Sequence, residues 1–278
     1  MKVTRYIIQS SGYTFEVIVQ KTSDRYIIQL GGQKKSCLYI LIYRQADDDD
    51  QSEAQLEGIS YYEKCSLKGD LKAGTGTVIM LKTALAFTTQ LFPHIKSFRL
   101  KDNSTITCMN KKKISLACTH FVKYGKTWYQ DKYNALTLFP DDQKKMDKAF
   151  AYISAPGSKG DFNRFWKKYI FPHLEQMKIK NKQRFQEQLQ EVWDGEGINT
   201  LQDFFIDLLE KDCMFLTIWF QDYLRRRHNV ISYGAEFVIR RDVQDKVQII
   251  KRERVAKVVS EQNGGDGNMD LGDAKAYL

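Results

Sequence analysis

The hydrophobic period of this chain changes partway along it, and that change constrains the fold more than any other feature. Residues 3–65 contain short runs rich in Ile, Val, Tyr and Phe, separated by turn residues such as Ser10-Ser11-Gly12 and Gly31-Gly32. This pattern is typical of antiparallel strands. Beyond Asp141, apolar and aromatic residues recur every three or four positions, as in amphipathic helices. The sequence therefore predicts a sheet-forming first part and a mainly helical second part.

The first part is predicted to contain a meander of five strands, namely Val3–Gln9, Tyr13–Gln20, Arg25–Leu30, Cys37–Tyr43 and Ile59–Cys65. Between the last two, the acidic run Asp47–Asp50 predicts a solvated loop, because neighbouring like charges repel and resist burial. After these strands we expect, in order, a helix from Thr77 that ends before Pro93, a strand Ser97–Leu100, a helix Ile114–Tyr124 stopped by Gly125, and a strand Ala135–Phe139.

The second part is predicted to contain helices within Met146–Tyr152, Phe162–Met177, Arg184–Trp193, Leu201–Leu209 and Cys213–Leu224. Asn199 and Thr200 are candidate caps of the fourth helix. Glu236–Arg240 and Val247–Ile250 are weaker strand candidates, and the glycine-rich stretch from Ser260 predicts a mobile tail. The fold class is thus α/β (α+β), with an α/β domain at 1–140, a helical region at 141–230, a basic segment at 231–259 and a tail at 260–278.

Charge and cysteine content narrow the class of protein. The 278 residues suggest about two domains, and 43 Lys and Arg against 34 Asp and Glu give a net charge of +9. That surplus favours acidic partners but also suits an ordinary soluble surface. Five cysteines without a CxxC pair predict neither a disulfide framework nor a zinc finger, so a reducing compartment fits best. The four histidines are scattered, and we assign no metal.

Membrane insertion and secretion are not expected from this sequence. It contains no run of about 18 apolar residues, and its first residues, Met1-Lys2-Val3-Thr4-Arg5, lack the apolar stretch of a signal peptide. The sequence therefore predicts an intracellular protein without a membrane partner.

One loop contains residues that are suited to binding an anion. Lys72-Ala73-Gly74-Thr75-Gly76-Thr77 lies between a predicted strand and a predicted helix, where helix N-terminal amides face an anion. Glycines let these amides approach a phosphate, the helix dipole adds about half a positive charge, and Lys72 adds a full one. The spacing is not that of a P-loop, since no Gly-Lys-Ser/Thr follows at the required distance. A flexible loop capped by Thr77 is the alternative interpretation.

The residues around this loop resemble the core of the GNAT-type N-acetyltransferases. In that family a glycine loop and the following helix hold the pyrophosphate of acyl-CoA, and Gly74 and Gly76 match the loop glycines. A later helix of the family has an alanine, an aromatic residue and a glycine at intervals of four, which Ala117, Phe121 and Gly125 match. The resemblance covers residues 56 to about 140 and extends to poorly characterised proteins of large double-stranded DNA viruses. It implies acetyl-CoA as cofactor, bound by Lys72, Gly74, Thr75, Gly76 and Thr77.

The chain also departs from the family pattern at several positions. Leu71 stands where the loop has Arg or Gln, with Lys72 one place late; Ile114 replaces the family's Asn and Lys126 its Phe. Phe121 stands where the family has the tyrosine that protonates the leaving thiolate, and a phenyl ring has no proton to give. A transferase would need another acid. Tyr124 and Tyr129 are the catalytic candidates, and Cys118 and His120 also lie nearby in sequence.

Two functions follow from the resemblance. The first is an acyl-CoA-dependent N-acyltransferase, or a protein that keeps the CoA loop; the second is a catalytically inactive GNAT-like viral protein, structural or associated with nucleic acid. In the second case it would lie in the host cytoplasm or the virion. The basic C-terminal third is then the expected contact with nucleic acid or an acidic protein, because residues 221–257 carry ten basic and five acidic side chains.

The segment Phe162–Tyr169 combines aromatic and basic residues, a mixture found where bases stack and phosphates are neutralised. On a helix, its aromatic side chains share one stripe, whereas Arg164, Lys167 and Lys168 lie mostly elsewhere. We interpret the aromatic stripe as core.

Overall fold

The structure is a computed structural model that describes residues 1–32, 35–44, 53–60, 64–72, 75–108, 111–217, 219–230, 234–240 and 246–255. It divides into two compact units, of which the first holds the described residues of 1–101 and 236–255 and the second holds those of 102–235. The sequence placed the boundary near residue 140. The division falls earlier, after Lys101, and the C-terminal strands return to the first unit.

The strands are β1 (Lys2–Ser10), β2 (Tyr13–Lys21), β3 (Arg25–Gly32), β4 (Lys35–Tyr43), β5 (Glu53–Ile59), β6 (Ser97–Asp102), β7 (Thr105–Thr107), β8 (Lys113–Ser115), β9 (Leu136–Thr137), β10 (Ala235–Arg240) and β11 (Gln248–Val255). The helices are α1 (Thr75–Leu91), α2 (Leu116–Tyr124), α3 (Trp128–Tyr133), α4 (Pro140–Ile153), α5 (Phe162–Phe165), α6 (Phe171–Gln176), α7 (Lys182–Trp193), α8 (Leu201–Asp212) and α9 (Phe220–His228). A π-helical turn, Trp166–Ile170, joins α5 to α6.

The first unit is built on a mixed sheet. Its strands follow the order β11-β1-β2-β3-β4-β5-β6-β10. The pairs from β11 to β5 are antiparallel, whereas β5 and β6 are parallel and are connected through α1. Ser11 and Gly12 both have positive φ, 51° and 81°, as a tight two-residue hairpin turn requires. The sequence prediction of a mixed α/β protein with helices mostly in the C-terminal half is confirmed.

The core of the first unit lies between the sheet and α1. Apolar side chains alternate along the strands, so that one set is buried, and α1 packs against β3 and β4. The fully buried members include Ile8, Phe15, Ile28, Leu30, Leu38, Phe87 and Phe98. α1 ends before Pro93, as predicted, because a residue that precedes proline is pushed out of the helical conformation.

Some predicted elements differ from the structure. The fifth strand of the meander is Glu53–Ile59 rather than Ile59–Cys65, and Lys64 and Cys65 form a turn. The predicted strand Ala135–Phe139 is reduced to Leu136–Thr137. The acidic run Asp47–Asp50 and the tail from Ser260 lie outside the described residues.

The second unit is mainly helical and is held by one large apolar cluster. Its members come from α2, α4 to α9 and the short β7–β8 hairpin. Phe165 lies at its centre, with ring centroids 5.1 Å from Trp193, 5.7 Å from Trp219 and 5.4 Å from Tyr223. Thr200 caps α8 in a capping box with Asp203, as the sequence indicated. The helical interpretation of the second part is thus confirmed.

Two disulfides overturn the prediction from cysteine spacing. Cys37 bonds Cys65 within the first unit, with Cα atoms 5.9 Å apart, and Cys108 bonds Cys213 within the second, with Cα atoms 5.5 Å apart. The sequence reading failed because disulfide partners are chosen by the tertiary fold and need no short spacing. Disulfides persist in oxidising surroundings, which removes the argument for a reducing compartment.

Candidate functional site

The candidate site lies at the N-terminus of α1, inside a parallel β5–α1–β6 unit. Glu53–Leu56 of β5 pairs with Ser97–Leu100 of β6, and β5 then continues to Ile59. In such a unit the helix begins at the edge where the parallel strands end, and that edge is where open α/β sheets bind ligands. The sequence placed the anion loop before this helix, and the topology gives that loop a position at the strand ends.

The segment that leads into α1 is fixed to the sheet. Leu67 N–H donates to Thr14 O at 2.7 Å, and Thr14 N–H donates to Lys68 O at 3.0 Å, so the segment pairs with the start of β2. The Cys37–Cys65 disulfide ties the same segment to β4. These tethers join residues far apart in sequence, so the sequence reasoning missed them. They limit the conformations of the chain just before the loop and reduce the entropy cost of ordering it around a ligand.

The loop residues have different environments. Lys72 and Thr75 are exposed, Thr77 is half-buried and Gly76 is buried. Gly76 N–H donates to Lys72 O at 2.7 Å, so that amide already has an acceptor. The amides of Thr75 and Thr77 have no acceptor among the described residues, and the first turn of α1 contains no acidic side chain. Gly74 lies outside the described residues.

The site can therefore stabilise an anion electrostatically. Two amide donors, the positive end of a 17-residue helix and the Lys72 ammonium belong to one short segment. This donor set fits a phosphate or pyrophosphate, whose oxygens accept several N–H groups at once.

α2 forms as the sequence predicted but begins later and belongs to the second unit. Its N-terminus is Leu116, capped by Ser115 Oγ, which accepts from Cys118 N–H at 3.2 Å, and it ends at Gly125 with φ of 71°. Phe121 is fully buried, 6.0 Å from the ring of Phe150. The family-like spacing of this helix is thus used to fill the core of the second unit.

The two catalytic candidates also lie in the second unit, in opposite environments. Tyr124 is 56% exposed and its ring lies 4.5 Å from that of His120. Tyr129 is only 5% exposed, and burial, with the nearby Asp102 carboxylate, raises the pKa of its hydroxyl well above the ordinary value. Of the two, Tyr124 is the side chain that a ligand in solution can reach.

His120 and Cys118 have structural surroundings. His120 Nδ1 lies 2.8 Å from Lys126 O, and its Nε2 lies 3.7 Å from Asp131 Oδ2. Burial lowers the pKa of this imidazole, so it is neutral at physiological pH. Cys118 is fully buried and belongs to neither disulfide.

Sequence reasoning missed a buried carboxyl at the end of β6. Asp102 is 1% exposed, and its Oδ1 accepts the Ser104 N–H at 3.0 Å and the Ser104 hydroxyl. Its Oδ2 has no hydrogen-bond partner among the described residues. Burial raises the pKa of this carboxyl to about 6. In the sequence, Asp102-Asn103-Ser104 has the composition of an ordinary turn, which gives no signal of burial.

The part of the chain that the structure describes contains neither a metal-binding cluster nor a membrane-spanning helix. There, no group of three or more His, Cys, Asp or Glu side chains is arranged to hold a metal ion. No described helix has both the length and the apolar character needed to cross a membrane.

Comparison of the chain with known protein families, with curated proteins and with solved structures gave no match.

Proposed function

We propose that the protein is an acyl-CoA-dependent N-acyltransferase of GNAT type, with acetyl-CoA as donor and its pyrophosphate at the N-terminus of α1. The observation that supports the proposal is the parallel β5–α1–β6 unit, with a tethered segment before α1 and the amides of Thr75 and Thr77, which have no acceptor among the described residues. Lys72 and the amides of Thr75 and Thr77 hold the pyrophosphate oxygens. Gly76 has another role, because its amide donates to Lys72 O at 2.7 Å.

When bound, the cofactor supplies an activated acyl thioester. The protein then contributes mainly orientation, because an amine attacks a thioester directly once the two are aligned. Thr75 and Thr77 donate N–H groups that fix the cofactor, and Lys72 offsets its charge. Phe121 has no proton to give, and the Tyr129 hydroxyl is secluded from solvent. The catalytic candidates Tyr124 and Tyr129 belong to the second unit, whereas the loop before α1 belongs to the first, and we assign the proton transfer to neither hydroxyl.

Binding is tested first, by calorimetry and thermal shift of the whole chain with acetyl-CoA. Thr75→Glu and Lys72→Glu are the informative variants. A carboxylate in the first turn of α1 favours the helix but repels phosphate, so Thr75→Glu is expected to keep the fold and lose acetyl-CoA binding. Lys82→Glu, at an exposed position further along α1, is the matched control and should bind as the wild type does. If millimolar acetyl-CoA moves neither signal in the wild type, the proposal is wrong.

A second candidate function is a catalytically inactive GNAT-like viral protein, structural or associated with nucleic acid. Phe121, in the position of the family's acid, favours it, because it is a core residue. This candidate predicts acetyl-CoA binding without thiol release for any amine acceptor. An intracellular or virion location belongs to this proposal too.

The basic C-terminal third, which the sequence suggested as its contact, is divided between the units. Arg225 and Arg226 belong to the second unit and are both paired with Asp222, at 2.6 and 2.7 Å. Lys251, Arg252 and Arg254 are exposed on β11 of the first unit. The basic residues of 221–257 therefore belong to two units, and Asp222 offsets part of their charge. Contact with nucleic acid or an acidic protein through β11 predicts binding that weakens between about 50 and 200 mM salt.

A further inference from the structure

Four helical elements of the second unit bring basic and aromatic side chains close together. Arg164 belongs to α5, Lys167, Lys168 and Tyr169 to the π-helical turn, Tyr152 to the end of α4, and Arg227 to the end of α9. These six residues are called the helical basic surface below. All six belong to the second unit, whereas the site at α1 belongs to the first.

The cations of this surface line a groove. Arg164, Lys167 and Lys168 are exposed and border a surface groove together with Asp161 and Asn163. Asp161 Oδ1 accepts the Arg164 N–H at 2.7 Å and caps α5, so its carboxylate is engaged with the helix N-terminus. The predicted aromatic stripe of this segment is confirmed as core, since Phe162, Phe165 and Trp166 are buried. The basic residues are thereby turned outward.

A line of rings connects the groove to Arg227. Lys168 Nζ lies 5.1 Å from the Tyr169 ring, whose centroid is 4.9 Å from that of Tyr223. Tyr223 is 5.4 Å from His228, and His228 is 5.1 Å from Tyr152. Arg227 Cζ lies 5.1 Å from the Tyr152 ring. Tyr223 is only 3% exposed, so this line of rings runs beneath the surface and links Lys168 to Arg227.

The four cations are not paired with carboxylates in the part of the chain that the structure describes. None of Arg164, Lys167, Lys168 and Arg227 makes an ion pair with a described carboxylate, whereas Arg225 and Arg226, on the same α9, are both held by Asp222. Uncompensated cations beside one another repel and destabilise the fold slightly, and a bound anion would relieve that repulsion. The π-helical turn that carries two of them is a rare conformation, found frequently at functional sites.

The exposed ring of Tyr152 distinguishes between duplex and single-stranded nucleic acid as candidate ligands. Tyr152 is 42% exposed beside Arg227. Duplex DNA presents phosphates but keeps its bases stacked inside, so it offers no free base face to stack on an exposed ring. A single strand offers both phosphates and unstacked base faces, and the combination of a basic groove with exposed aromatics is the usual way to bind it. We propose that the helical basic surface binds single-stranded nucleic acid, with phosphates along Arg164, Lys167 and Lys168 and a base stacked on Tyr152.

The test is fluorescence anisotropy of a labelled 20-nucleotide oligothymidylate with the whole chain. Each phosphate contact adds about 0.7 to the steepness with which log affinity falls against log salt concentration. One such contact therefore raises the affinity about 8-fold at 50 mM salt relative to 1 M. Lys167→Gln with Lys168→Gln is therefore expected to weaken binding by roughly 60-fold at 50 mM and to reduce the slope by about 1.4. The matched control is Lys126→Gln with Lys180→Gln, which removes two exposed lysines outside this surface and should change neither quantity.

The stacking contact is tested separately. Tyr152→Leu is expected to lose about 5- to 150-fold in affinity, whereas Tyr152→Phe keeps the ring and most of the binding. Circular dichroism melting shows whether each variant is folded. The proposal is overturned if the wild type does not bind the oligonucleotide at 50 mM salt, if the control pair weakens binding as much as the groove pair, or if a duplex of equal length binds more tightly. Acetyl-CoA binding by the groove pair should stay at the wild-type value, which separates this surface from the site at α1.

Discussion

Asp102 permits a quantitative test of the second unit. Its carboxyl is almost fully buried, and only Oδ1 is hydrogen-bonded, to Ser104. Asp102→Asn keeps the shape and the Oδ1 acceptor but carries no charge at any pH. The substitution therefore isolates the cost of the buried negative charge from the cost of burying a polar group.

The size of the effect follows from the pKa of Asp102, raised by burial from 3.8 to about 6 in the folded protein. Below 3.8 the carboxyl is protonated in both folded and unfolded chains and costs nothing through its charge. Between these values the folded chain holds a proton that the unfolded chain has lost, so stability falls as the pH rises. Above 6 the loss is complete, at about 3 kcal/mol. Asp102→Asn should thus match the wild type near pH 3.5 and exceed it by up to about 3 kcal/mol at pH 7.5.

Tryptophan fluorescence reports on the unit that contains Asp102. All four tryptophans, Trp128, Trp166, Trp193 and Trp219, lie within residues 102–235, as does Asp102. Urea titrations followed at a tryptophan wavelength therefore report unfolding of the second unit, at a series of pH values from 3.5 to 7.5. Equal m-values for variant and wild type would show that the same surface is exposed in both.

The decisive observation is how the difference between variant and wild type depends on pH. A difference that stays constant from pH 3.5 to 7.5 would refute the reasoning. It would mean that the Asp102 carboxyl has the same pKa in the folded and the unfolded chain, so that its titration does not change stability. A wild type that gains stability relative to the variant as the pH rises would also refute it, because it would show that the Asp102 carboxylate is stabilised in the fold.

Two further predictions concern packing and covalent links in the second unit. Gly125→Ala should cost roughly 1–3 kcal/mol of unfolding free energy, because its φ is +71° and a Cβ would lie 2.9 Å from the Phe150 ring. Gly157→Ala is the control and should cost less, because its φ is +75° but nothing lies within 4 Å of the added Cβ. Equal losses of stability in urea titrations of the two variants would contradict a role for the Phe150 contact. Replacing Cys108 and Cys213 by Ser removes a disulfide between residues 105 positions apart in the sequence. The loss of unfolding free energy should be about 2–5 kcal/mol, measured by the same titration. Unchanged stability would show that this disulfide contributes nothing.

Local signals were sufficient for several features. The hairpin turn at Ser11-Gly12, the end of α1 before Pro93, the cap at Gly125 and the capping box at Thr200 were all indicated by residues a few positions apart. Each depends on a local conformational preference or on a side chain that reaches its own backbone, so neighbouring residues are enough to predict it. The loop before α1 was singled out in the same way, and its role in anion binding stays a prediction.

Features that depend on distant residues were missed. The first boundary was placed near residue 140, because nothing in the sequence shows that β7, β8 and α2 join the apolar cluster of the later helices. Nothing in the sequence of β10 and β11 shows that they join the sheet of the N-terminal strands. The fifth strand was misplaced, since the run from Ile59 to Cys65 has the composition of a strand but is used as a turn at Lys64 and Cys65. The partners of both disulfides were also beyond reach.

The sequence by itself determined the change from strands to helices, the element ends set by Pro93 and Gly125, and the glycine loop before α1. Only the tertiary structure decided that β11 pairs with β1, that Cys37 meets Cys65, that Asp102 is buried and that Arg227 lies beside Tyr152. The physical reason is that hydrophobic period and capping act over a few residues, whereas pairing, burial and the meeting of charged groups depend on parts of the chain that only the fold brings together.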